Sequence, residues 1–394
     1  MCTSSRKISA INEATISEEV VRPTLVEVNL DHLTSNYLAI KNHVKPSRVM
    51  PVLKANAYGH GLVRVAHLMQ ELNADYLGVA VLEEGMLLRQ SGITLPILVL
   101  GGILGNQVPF FLTHNLSITA SSIAKLQQIQ QAAEALKTTA KVHLKIDTGM
   151  ERIGVHYYNA DAFLEASLKC PNITIEGVFS HLANADAADL THARLQLERF
   201  LGVTSFYEKH SIQCPVRHIA NSGGILQLPE AHLDMVRPGI MLYGVLPSSE
   251  VRKTVPLKPA LSWKSRVVYF KVIQAGDPVG YGSTWKKAAS TRAVTVPVGY
   301  GDGYFRSMSN KAQVLIRGTR YPEVGTFSMD QIVVDIGDGS AYNNDEVILI
   351  GSQDNQTITC EELAEWAGTI PYEILTNINT RVPRIYTGDS PIPK

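Results

Sequence analysis

Residues 48–61 read RVMPVLKANAYGHG. The first six, Arg48–Leu53, form an apolar β-type run. Lys54 ends it, and a glycine-punctuated turn leads into helical periodicity over Gly61–Leu72. Strand, turn and amphipathic helix make one β/α unit. The same texture recurs along the chain. Further β-type runs are Tyr76–Val81, Pro96–Leu100, Leu116–Ala120, Lys141–Ile146, Ile175–Ser180, Pro215–Ala220 and Leu233–Leu242. Helical spacing appears over Leu82–Ser91, Ile123–Leu136, Ala160–Leu168 and Thr191–Lys209. Eight strands alternating with helices predict an α/β fold, a parallel (β/α)8 TIM-like barrel.

Past about residue 256 the texture changes. Trp263–Gln274, Arg292–Val298, Ala312–Ile316, Gln331–Ile336 and Glu346–Ile350 are rich in Val and Ile, with Gly-Asp and Asp-Gly turns between them. Thr359 and Glu362 have the spacing of a capping box before a helix at Leu363–Trp366. The expected organisation is a flexible polar tail over 1–22, a barrel over 23–255 and a C-terminal β-rich domain over 256–394. A strand near 24–30 can pair with that second domain. The boundary falls in the polar, proline-bearing stretch Pro247–Pro259.

Composition narrows the function. Thirty-six basic and thirty-six acidic side chains cancel, so no basic field draws the chain to nucleic acid or an anionic membrane. No apolar run approaches the ~20 residues of a membrane span. Four scattered cysteines, Cys2, Cys170, Cys214 and Cys360, form no CxxC pair, which predicts a reducing, cytoplasmic setting and no zinc module. No HExxH, GxGxxG after a strand, P-loop or GxSxG is present.

Position singles out the chemistry. Lys54 ends the first strand, Lys145 and Asp147 the fifth, and His181 the sixth. Asn221-Ser222-Gly223-Gly224 follows the seventh, and Arg237 and Gly239 lie in the eighth segment. In a (β/α)8 barrel these points converge on one face. Each residue alone has a plainer reading. Lys54 could snorkel to solvent, Arg237 could pair with Asp234, His181 could be a satisfied core histidine, and Lys145 and Arg152 could make separate surface ion pairs. Together, a desolvated lysine, a capped glycine turn able to cradle an anion, and a cation in an apolar strand describe a site.

The motifs VLKANAYGHG, HLKIDTGMERIG, HIANSGG, MVRPGIMLYG, VGYGSTW, GYGDGY and VGTFSMDQ occur in this order between Arg22 and Tyr386. Carrying them, the chain resembles the alanine racemases, pyridoxal-phosphate enzymes with a barrel and a C-terminal β domain. The resemblance implies that Lys54 holds pyridoxal 5'-phosphate covalently. It places Tyr58, Ser222, Gly239 and Ile240 at the phosphate and Arg237 against the pyridine nitrogen, with His181 coupled to Arg237. A donor-only arginine leaves that nitrogen unprotonated, which weakens the ring as an electron sink and limits transamination. Lys54 and Tyr281 look like the two bases that racemisation needs, Tyr281 reaching in from the other subunit of a homodimer. Arg152 and the backbone of Met329 match the grip on the substrate carboxylate, and Lys145 matches a lysine carbamylated in many members. No metal is implied.

Four positions depart from the pattern. Thr380 stands where a tyrosine often supports the phosphate, Ser328 for a cysteine, Glu151 for a glycine and Trp285 for a tyrosine. The implied activity is interconversion of L- and D-alanine, supplying D-alanine for peptidoglycan. The alternatives are a serine, lysine or broader-specificity racemase, a metal-assisted D-threonine aldolase, and a non-catalytic pyridoxal-phosphate carrier, which would need neither the second domain nor Tyr281.

Overall fold

A computed structural model describes residues 22–388. Almost all of the expected tail, with Cys2, lies outside the described residues. Eight parallel segments close a ring in chain order: Arg48–Val49, Leu77–Val79, Ile97–Val99, Ser117–Ala120, Ala140–Asp147, Ile173–Phe179, Val216–His218 and Met235–Val236. Backbone bonds seal the places where regular strand gives out. Gly78 N donates to Pro51 O (2.9 Å), Arg237 N to Ala220 O (3.0 Å) and Met50 N to Val236 O (2.9 Å). The barrel is therefore the predicted one. Its eighth strand is shorter than the expected Leu233–Leu242, because Pro238 has no N–H to donate and the chain turns into a 3-10 segment, Ile240–Tyr243. A short helix, Val108–Thr113, lacks enough turns to show periodicity in sequence.

The barrel interior is not uniformly apolar. Met50, Tyr76, Leu98 and Met235 form a small cluster of their own. Beside it lie the buried His143 and His218. The larger apolar core lies between barrel and helices and continues through the second domain, where Trp263 is its largest fully buried side chain.

The second domain is built on a ten-stranded sheet. The expected single strand Trp263–Gln274 is two. Leu261–Arg266 pairs with Glu346–Gln353, whereas Tyr269–Ile273 pairs with Thr291–Val296 at the sheet's end. The chain changes partners at Val267 and Val268, whose N–H groups donate to Asp345 O and Thr295 O. Thr359 and Glu362 form the reciprocal capping box, at 3.1 and 2.8 Å, that starts helix Cys360–Ala367.

The N-terminal strand Leu25–Asn29 belongs to this second sheet, between Leu261–Arg266 and Arg384–Thr387. Arg22, just before it, pairs with Asp302, which is fully buried and also accepts from Arg381 Nε (2.6 Å) and Gly299 N (3.0 Å). Thr24 Oγ1 donates to Pro297 O at 2.6 Å. One carboxylate thus fastens three distant parts of the chain.

Burial alone would raise the Asp302 carboxyl, but Arg22 and Arg381 outweigh it and hold it below the ordinary carboxylate range. A depressed folded pKa gives stability that is full above the unfolded value of ~3.9 and lost as pH falls through the folded one. Asp302→Asn is expected to destabilise by about 2–3 kcal/mol at pH 7, less than a sealed pair because both arginines reach water. The deficit should shrink towards pH 3. Urea unfolding at both pH values checks this, and an equal deficit at both would refute it.

Candidate functional site

The turn after the first barrel strand holds Lys54 in an unusual backbone. Ala55, Asn56, Ala57 and Tyr58 all have positive φ, between 52° and 56°. Each L-residue there costs roughly 1–2 kcal/mol, so a left-handed run needs outside support. Glu84 supplies it. Its two carboxylate oxygens accept from Ala55 N (2.7 Å) and Ala80 N (2.8 Å). Asn56 Oδ1 takes Leu62 N (2.9 Å) at the start of the next helix. From the second domain, Arg384 Nε donates to Gly59 O at 3.1 Å.

Lys54 faces a cavity of about 140 Å³ at the C-terminal mouth of the barrel, shared with Tyr58, Lys145, Arg152, His181, Ser222, Arg237, Gly239 and Ile240. Nine of the residues singled out in sequence therefore converge. Burial first, and then the positive charge of Arg152, lower the Lys54 pKa, while Glu84 opposes them. The shift favours a neutral, nucleophilic amine.

Arg237 is fully buried without a carboxylate partner among the described residues. Asp234, its sequence neighbour, pairs with Arg217 instead (2.9 Å). Neutral acceptors surround the guanidinium. Nη1 meets His218 Nδ1 at 2.8 Å, and Nη2 meets Ser180 O at 2.6 Å, Ile219 O at 3.2 Å and His181 Nδ1 at 3.3 Å. Burial lowers its pKa to about 9, so it stays protonated at neutral pH. Burial, followed by the Arg237 charge, pushes both His181 and His218 well below the usual imidazole range.

Opposite lies an anion cradle. Asn221 caps the helix Ser222–Gln227 by accepting from Gly224 N (3.0 Å). Ser222 Oγ accepts from Gly239 N (3.0 Å), which leaves its own hydrogen free to point at a ligand. A Cβ on Gly239 would come within 2.5 Å of Tyr58 Oη. Glycine here makes room for that hydroxyl.

Lys145 is buried 4.4 Å from the Phe179 ring centre. Burial, then Arg237 and Arg152, lower its pKa far below the ordinary lysine range. The charge of Asp147 opposes this shift without reversing it. Both its oxygens accept backbone N–H groups, from Gly149 through Arg152. This folds the turn on which Glu151 has φ 54°, the conformation that explains a glycine preference there.

Two expected residues stand apart. Tyr281 is 70% exposed and Met329 52% exposed, and neither lines the cavity. Tyr281 sits at the tip of a hairpin whose strands are Pro278–Val279 and Trp285–Lys286. Thr284 Oγ1 lies 3.1 Å from Thr326 Oγ1, so the hairpin is tied to the loop carrying Met329. Thr380 is also outside the cavity, with its hydroxyl on Asn379. The second domain instead contributes Tyr372, which the sequence reading missed. Its ring packs 6.1 Å from that of Tyr58. Pro371 at the start of helix Pro371–Asn377 was the available signal, since proline favours the first helical turn.

Comparison with known proteins fits this geometry. The profile of the alanine racemase N-terminal domain matches residues 28–247, and that of the C-terminal domain matches 260–386. The chain belongs to the alanine racemase family. It is 46% identical over 368 residues to the alanine racemase of Carboxydothermus hydrogenoformans, covering 93% of this chain and 100% of that one. Alanine racemase from Clostridium difficile 630 superposes with a TM-score of 0.88 at 37% identity, covering 94% of this chain and 97% of that one. The alanine racemase of Bartonella henselae, solved with covalently bound pyridoxal phosphate, has a TM-score of 0.85 at 29% identity, covering 93% and 100%.

As an alanine racemase family member, the chain has groups that fit that cofactor. The lysine is desolvated, the cradle opened by Gly239 suits a phosphate, and Arg237 offers donors without a competing carboxylate. Family membership extends through the second domain, which sets the carrier reading aside. No group of His, Cys, Asp and Glu suited to a metal occurs among the described residues.

Glu84→Ala should release the left-handed turn and lower stability by about 2–4 kcal/mol, because two hydrogen bonds to a charged acceptor are lost. Chemical unfolding measures this, and an unchanged midpoint would mean the turn is held by other contacts.

Proposed function

We propose that this protein interconverts L- and D-alanine, with pyridoxal phosphate in the barrel mouth and a second copy of the chain completing each site. What carries the reading is the convergence in one cavity of Lys54, the cradle of Tyr58, Ser222, Gly239 and Ile240, and the carboxylate-free Arg237. When bound, the cofactor supplies an electron-withdrawing ring that acidifies the substrate Cα–H.

Lys54 would hold the cofactor, and its amine would take or return the Cα proton on one face. Burial first, and then the positive charge of Arg152, lower the pKa of that amine, which favours its unprotonated, proton-accepting form. Tyr281 acts on the opposite face, presented by the partner's second domain. Its exposure on a braced hairpin suits that role. Arg152 holds the substrate carboxylate together with the Met329 N–H, which the second copy of the chain presents beside Tyr281. Arg237 would offer the cofactor's ring nitrogen a hydrogen-bond donor without protonating it, and His181 would steady Arg237.

Lys145 takes carbon dioxide at its unprotonated amine. The N–C bond forms, a proton leaves, and the resulting carbamate pairs with Arg152. Arg152 then faces an anion in place of a second potential cation. In the cell the product D-alanine serves peptidoglycan synthesis.

Racemisation in deuterated water should bring deuterium to Cα as optical activity disappears. Tyr281→Phe should cut racemisation by at least about 10²-fold, the scale of a lost general base, while cofactor absorbance persists. Mixing Lys54→Ala with Tyr281→Phe chains should restore part of the activity through hybrid dimers. Full racemisation by Tyr281→Phe alone would sink the two-base reading, and no recovery on mixing would sink the shared site.

A further inference from the structure

Arg237 is the upper end of a chain of contacts that runs down the barrel interior. Its Nη1 meets His218 Nδ1 at 2.8 Å, and His218 Nε2 meets His143 Nδ1 at 2.9 Å. His143 Nε2 then faces Glu176 Oε2 at 3.7 Å, ion-pair range though too long for a hydrogen bond. The same oxygen accepts the hydroxyls of Tyr76 and Ser117, each at 2.6 Å.

The protons on this chain can be assigned. Arginine only donates, so His218 Nδ1 must accept and its proton sits on Nε2. That N–H donates to His143 Nδ1, so the His143 proton is also on Nε2, facing the carboxylate. Each imidazole then carries a single proton, the neutral form that burial, as the first cause, favours by lowering their pKa values. Glu176 is lowered to about 2 by its donors despite burial.

The fold makes room for this line. The pairing of Ala140–Asp147 with Ile173–Phe179 slips between Val142 and His143, passing from Ile175 to Gly177, so Glu176 is the extra residue of a bulge. Bulges re-aim side chains. A Cβ on Gly177 would lie 2.3 Å from His143 Nδ1, so glycine there keeps the place of the imidazole. Phe179 stacks on His218, 4.8 Å between centres and 2° between planes.

We propose that Glu176 is a remote positioning residue, which sets through His143 and His218 how strongly Arg237 donates into the cavity. Arg237 has no carboxylate beside it. Glu176 supplies the balancing charge two imidazoles away, so the guanidinium is tempered without a contact that would compete with a ligand. The tie to the ring nitrogen rests on the function proposed above. The wiring itself does not.

The test is nitrogen NMR of the imidazole rings in histidine-labelled protein, first without cofactor. The native protein should show both histidines as neutral Nε2–H tautomers from pH 6 to 9. Glu176→Gln should move the His218 Nδ1 resonance as well as that of His143. Gly177→Ala, which pushes His143 aside and keeps Glu176, should move His218 in the same sense. A His218 resonance unchanged in both folded variants, or a native Nδ1–H tautomer, would overturn the wiring. With pyridoxal phosphate bound, Glu176→Gln should raise the ratio of transamination to racemisation about tenfold, the scale of one pKa unit at the donor, with KM little changed. Coupled resonances with an unaltered ratio would overturn the link to the ring nitrogen and leave the racemase reading standing.

Discussion

A guanidinium buried without a counter-ion dictates much of this molecule. An isolated charge in a protein interior is expensive unless its surroundings solvate it. A carboxylate beside Arg237 would do that at the expense of its free donors. The barrel uses carbonyls, two neutral imidazoles and an aromatic face instead. Every group near it that can carry positive charge is then pressed to lose it. His181, His218 and Lys145 are all shifted in that direction, by burial first and by the Arg237 charge next.

The second constraint is mechanical. A lysine at the end of a strand would ordinarily reach into solvent. Here the chain turns left-handed directly after Lys54, and the two domains share the work of holding it. Glu84, from the barrel's own helix Leu82–Gln90, grips the start of the turn. Arg384, from a strand that completes the second domain's sheet, grips its end. Leu25–Asn29 is also built into that sheet, so the first and last strands among the described residues both belong to the second domain. Barrel and β domain therefore form a single support for one lysine.

Much of this was legible in sequence because barrel topology turns spacing into geometry. Polar residues that end consecutive strands must meet, and those at Lys54, Lys145, His181, Ser222 and Arg237 do. What stayed hidden follows different rules. Tyr372 reaches the cavity from another domain, and no periodicity points there. The left-handed turn carries no glycine at its four central residues, so propensity argues against it. The break at Val267 and Val268 is invisible because both halves have the same β-rich composition. The line from His218 to Glu176 depends on a one-residue bulge, and a bulge leaves no mark on alternation.

The exposed side of the second domain completes the reasoning. Tyr281, Tyr300 and Met329 project from loops tied together by Thr284 with Thr326 and by Tyr300 N with Ser328 O. A hairpin tip left to solvent has little reason to be braced so firmly, and an exposed tyrosine gains nothing from it. The cavity, for its part, holds a lysine whose pKa is lowered, an arginine without a carboxylate and an anion cradle, and Tyr281 of the same chain does not line it, so under the two-base reading it offers the base of one side only. Racemisation requires proton transfer on both sides of one carbon. Under the proposed function the rigidity of one surface and the one-sidedness of the other are a single fact, because each chain then carries half of two sites and neither half can act alone.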